Sequence, residues 1–101
     1  ADGGAMSERR KLALNGVISA AVALDTAGKL LDVEFRMQGV PVDLEDRQDW
    51  VEDAVAAVRE ALTRGGDKEK VREAVRLAVR RTATEWTGKK PIVDVMLLQI
   101  G

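Results

Sequence analysis

Lys68, Arg72, Arg76 and Arg80 stand four residues apart, the spacing that places side chains along one flank of a helix. A row of cations of this kind is suited to the phosphates of a nucleic acid backbone. Lys89 and Lys90 form a second basic pair immediately before Pro91 and are candidates for the same contact, although proline there also marks a structural turn. Glu69 and Glu73 fall inside the row at ion-pairing distance in sequence, so a solvated helix face laced with local pairs is the plainer account. Exposed aromatics interleaved with the row are missing, which removes base stacking from the expectation.

The other side chains capable of chemistry are carboxylates. Asp43, Glu45, Asp46 and Asp49 cluster in sequence, but without the defined spacing of a calcium loop. They suit the positive end of a helix dipole better, and no metal is expected there. Histidine and cysteine are both absent, so the chain has no usual zinc ligand set and no imidazole base. We therefore expect no catalytic residue, no metal ligand and no cofactor in this chain, which is not an enzyme on its own. The lack of cysteine fits a reducing cytoplasm. A net charge of −1 supplies no global attraction to nucleic acid or anionic lipid. Neither a signal peptide nor a transmembrane run is evident, so a cytoplasmic location without a membrane partner is expected.

These groups need a scaffold, and composition says what it is made of. Apolar residues are 46% and aromatics only 3% of the 101 residues, so the core must be packed mainly with Val, Leu, Ile and Ala. Trp50 and Trp86 are expected as core or interface anchors rather than ligand platforms. Leu77 falls off its helix's apolar stripe and joins them as a candidate interface residue.

Residues 1–7 are small and Gly-rich and read as a linker. Residues 8–101 read as one small domain. Glu8-Arg9-Arg10-Lys11 forms a short basic cluster ahead of Leu12. Asn15-Gly16 is either a tight turn or a bulge in one long strand. Val17–Leu24 is apolar or small on both faces and predicts a central strand, with Ser19 and the alanines leaving room for a close layer above. A turn over Asp25–Lys29 leads to a strand over Leu30–Val40, which alternates between apolar and charged residues.

A first helix begins within Asp43–Asp49, capped by Asp43 or Asp46. Its stripe is Val51, Ala54, Val55, Val58, Ala61 and Leu62, flanked by Trp50. Gly65-Gly66 ends it. Asp67 caps a second helix with the stripe Val71, Ala74, Val75, Ala78, Val79, Thr82 and Trp86, closed by Gly88. Ile92–Ile100 is then a final strand, apolar almost throughout and expected to be buried on both faces or nearly so. The fold class is α+β, in the order β-β-α-α-β. Two antiparallel helices cover one face of a three-stranded sheet, with the last strand parallel to the first and a strand order of second-first-last.

The two ends of this chain resemble a known family. Glu8-Arg9-Arg10-Lys11-Leu12-Ala13-Leu14-Asn15-Gly16-Val17 at one end and Thr87-Gly88-Lys89-Lys90-Pro91-Ile92 with an apolar strand at the other are similar to the C-terminal domain of ribonuclease J. Members show Arg-Arg before a Gly-Val/Ile strand and a Thr-Lys-Arg-Arg-Pro-like turn before the closing strand. The chain departs from that pattern at Gly88 and in carrying Asp94 inside the last strand. The resemblance implies a zinc-dependent metallo-β-lactamase/β-CASP nuclease, a 5′ exonuclease and endonuclease that degrades and matures RNA. Its zinc would lie in an upstream catalytic body. It also implies that this domain is non-catalytic, that it supports assembly and full activity, and that it pairs with itself or with the body. The alternative expectation is an RNA-handling module that uses the basic flank of the second helix.

Overall fold

The computed structural model describes residues 15–101. The expectations for the linker at 1–7, the basic cluster at Glu8–Lys11, and Leu12 and Leu14 lie outside the described residues. Strand β1 is Val17–Leu24, β2 is Leu30–Gln38, helix α1 is Arg47–Leu62, α2 is Lys68–Thr87 and β3 is Ile92–Gln99. The sheet runs β2-β1-β3, with β1 antiparallel to β2 and parallel to β3. Fold class, element order and strand order therefore match the expectation.

Local chemistry explains most boundaries. The Asp25 carboxylate accepts hydrogen bonds from the Ala27 and Lys29 amides at 2.9 and 2.8 Å, and Gly28 takes the positive φ that closes the hairpin turn. Asp67 accepts from the Lys70 amide at 2.9 Å and caps α2. At the other end Gly88 adopts the left-handed conformation, and its amide donates to Thr84 O. Replacing Asp67 by alanine should cost about 1 kcal/mol, read as a lower urea midpoint with an unchanged slope.

Helix α1 starts differently from expectation. A 3₁₀ turn occupies Leu44–Asp46 before the α-helix begins at Arg47, and neither Asp43 nor Asp46 makes a side-chain cap. The acidic residues there act through charge alone, near a helix start.

The core lies between the sheet and the helix pair. Alternate residues of β1 (Ile18, Ala20, Val22, Leu24) and of β3 (Val93, Val95, Leu97) face the helices and are buried. Helix α1 presents Trp50, Ala54, Val58 and Ala61, and α2 presents Val75, Ala78, Val79 and Ala83. The α1 stripe is thus centred one residue earlier than expected. Trp50 lies at its middle, 0% exposed, with its ring edge-on to Phe35 at a centroid distance of 5.1 Å.

The expectation that the last strand is buried on both faces, or nearly so, is not met. Met96 is 66% exposed, Leu98 57% and Ile100 51%. The short Gly65-Gly66 connection keeps the two helices side by side, so both cover the same face of the sheet. Among the described residues nothing covers the other.

Candidate functional site

The six candidate cations, four spaced along a helix and two in the turn before Pro91, do not form one continuous stripe. Arg72 Nη1 is 2.6 Å from Glu69 Oε1. Arg76 engages Glu73 through two hydrogen bonds, Nε to Oε2 at 2.9 Å and Nη2 to Oε1 at 2.6 Å. The guanidinium hydrogen bond holds the Glu73 carboxyl below the usual carboxylate range and raises Arg76, with burial opposing both. Glu73 therefore releases Arg76 only as pH falls through that lowered value. Lys68 lies beside Leu24, Gly66 and Gln99, at the far end of the sheet from the start of β3.

What the fold does bring together is a subset. Arg76 and Arg80 of α2 meet Lys90 of the turn, with Asn15, Pro91 and Ile92, around a recess of about 360 Å³. Among the described residues no carboxylate lines it. Arg80 and Lys90 have no carboxylate partner among the described residues. The position follows from topology: β1 and β3 run parallel and begin level with each other, Val17 beside Ile92, and the Ile92 amide donates to Gly16 O at 3.0 Å. Lys89 is held differently, its carbonyl accepting from the Thr84 hydroxyl at 3.0 Å.

A second surface is the open face of the sheet. Three rows cross it: Arg36–Ser19–Asp94, Glu34–Ala21–Met96 and Asp32–Ala23–Leu98. The small β1 residues form the floor of a trough, with charged side chains of β2 on one side and apolar side chains of β3 on the other. One part of it, a recess of about 530 Å³, is lined by Ser19, Ala21, Glu34 and Arg36 among others.

Residues 4–100 match the family described as "Ribonuclease J C-terminal domain". The chain belongs to that family. It is also 36% identical to "Ribonuclease J" of Sinorhizobium meliloti (strain Sm2011 / Rm2011 / 2011) over 101 residues, an alignment that covers 94% of this chain and 18% of that protein. This chain thus spans less than a fifth of the relative it matches.

In this ribonuclease J C-terminal domain the expected interface residues divide. Trp50 is corrected from the interface set, because it is wholly enclosed in the core. Trp86 is 38% exposed, and its indole N–H donates to Asp53 Oδ2 at 2.9 Å, tying α2 to α1. Leu77 is 42% exposed on α2. The sequence reading missed Met96, Leu98 and Ile100, and the signal was present in the single charge, Asp94, that alternates with them. Asp94 also explains one departure from the family pattern, since it stands on the open face two strands from Arg36. Among the described residues no group of three or more His, Cys, Asp or Glu is placed to hold a metal ion, and no helix is long and apolar enough to cross a membrane.

Proposed function

We propose that this chain is the non-catalytic accessory domain of a ribonuclease J-like RNA exo/endonuclease, and that it supports assembly and full activity of a zinc-dependent catalytic body. The observation that carries the assembly role is the uncovered sheet face with Met96, Leu98 and Ile100 exposed together. Contiguous exposed apolar surface of this kind marks interaction sites.

A second copy of the same face is the occupant that its charges favour. A two-fold axis running across the strands between two copies exchanges the Ser19 row of one with the Ala21 row of the other. Arg36 then meets Glu34 of the second copy, and Ile92 meets Leu98 of the second copy. Two sheets stacked in this way are expected to sit roughly 10 Å apart, a separation compatible with the small residues of β1.

Sedimentation of the 101-residue chain tests the proposal. Concentration-dependent dimers are expected, and Met96→Asp combined with Leu98→Asp should weaken them by at least about 100-fold, since each apolar side chain contributes roughly 1.5–3 kcal/mol on burial. Both positions are exposed, so the fold should survive. A strict monomer at high concentration rejects self-association. A second reading, an RNA-handling domain that contacts the phosphate backbone, is favoured by the convergence of Arg76, Arg80 and Lys90.

A further inference from the structure

The recess at the start of β3 has the chemistry of a single-phosphate site. Its three cationic residues come from two separate elements, α2 and the turn before β3, and line one volume of about 360 Å³. Pro91 is buried beneath it and Arg80 is half-buried, so part of the wall is apolar and the local field is less screened than on an open helix face. Among the described residues no acidic side chain lines it. Glu73 stands at its edge, holding Arg76.

The ligand's bases have nothing to stack on. The chain has one Phe, two Trp and no Tyr. Phe35 and Trp50 pack against each other, and the Trp86 indole faces Asp53. A site with cations and no ring holds phosphate and ignores base identity.

We infer that Arg76, Arg80 and Lys90 form a site that grips one backbone phosphate of single-stranded RNA without sequence preference. The inference takes its ligand class from the nuclease reading above, but it does not depend on self-association. The recess lies at the strand-start end of the sheet, on the side of the helices, whereas Met96 and Leu98 lie on the opposite face. Among the described residues the two surfaces meet only at Ile92, which lines the recess and also belongs to the open-face rows. Glu73 acts as a competitor for Arg76, and RNA must displace it or share the guanidinium.

The test is an amide-shift titration of the ¹⁵N-labelled 101-residue chain with a short oligouridylate at several salt concentrations. Shifts should concentrate at Asn15, Arg76, Arg80 and Val93. The logarithm of affinity should fall with the logarithm of salt with a slope near −2, about −0.7 for each of the three cations engaged. Lys90→Ala lies in an exposed turn and should not disturb the fold. It should weaken binding roughly fivefold and shrink the slope by about 0.7. Arg80→Ala should do the same, Glu73→Gln should tighten binding, and Arg59→Ala on α1 should leave it unchanged.

Absence of binding at low salt, shifts centred on the open sheet face, or equal affinity for polyglutamate at the same residues would overturn the site. Sedimentation of the same sample separates the two readings. A monomer that binds RNA at the recess retains this site and rejects assembly, while a dimer without RNA shifts does the reverse.

Discussion

Trp50→Ala is expected to destabilise the domain by roughly 3–5 kcal/mol, the range for deleting a large aromatic from a core. Trp50 is 0% exposed, and in a chain with so few aromatics no other ring can move in to fill the space. The loss also removes the edge-on contact with Phe35, the link through which α1 grips β2. Domains of this size have about 5–15 kcal/mol in total, so the variant should sit near its unfolding midpoint at growth temperature. Thermal denaturation followed by far-ultraviolet circular dichroism reads this directly.

Trp50→Phe separates packing from polarity. The indole Nε1 is buried and has no hydrogen-bond partner among the described residues, and an orphaned buried donor costs about 1–3 kcal/mol. Phenylalanine keeps most of the apolar contact and removes that donor. Its cost should be well under half that of alanine. If the two variants are equally destabilised, the apolar volume that phenylalanine restores does not decide the position, and the indole itself is required there.

Which parts of the fold were legible follows from how local each cause is. Caps and turns that depend on one side chain and one backbone group, such as Asp67, Gly88 and the Asp25–Gly28 turn, could be read directly. The parallel orientation of β3 to β1 followed from counting directions through a short helix pair, and the strand order from the apolar character of those two strands. The first turn of α1 was not legible because Asp43 and Asp46 offer two equivalent starts, and the backbone chose a 3₁₀ turn without a side-chain cap. The open sheet face was missed for a different reason. An apolar run does not say whether its second face is covered by its own chain or by another molecule, and two helices suffice for only one face. The basic recess was half legible. Spacing along α2 named Arg76 and Arg80, but only the parallel start of β1 and β3 brings Lys90 to them and leaves Lys68 and Arg72 elsewhere.

Gly16→Ala should be the most damaging small substitution in the described chain. Gly16 has φ +82°, where a side chain costs about 1–2 kcal/mol. A Cβ there would also lie 2.6 Å from Gly39 C and 2.7 Å from both Gln38 O and Gly39 O. All three are backbone atoms at the end of β2, so no rotamer change relieves the overlap and the strand end must shift. Overpacking of this kind adds typically about 1–3 kcal/mol, giving a total near 2–5 kcal/mol.

The damage should also be directional. Gly16 O accepts from the Ile92 amide, so displacing this residue loosens the start of β3 and with it Pro91 and Lys90. Hydrogen exchange should therefore accelerate first at Ile92 and Val93, while Leu24 and Leu97, at the far end of the sheet, stay protected. Uniformly faster exchange would mean that the glycine matters only for overall stability. A local opening would instead establish that the junction between β1 and β3 is the physical support of the cationic recess, and that the Gly-Val strand start and the Lys-Lys-Pro turn shape one structural unit from opposite ends of the sequence.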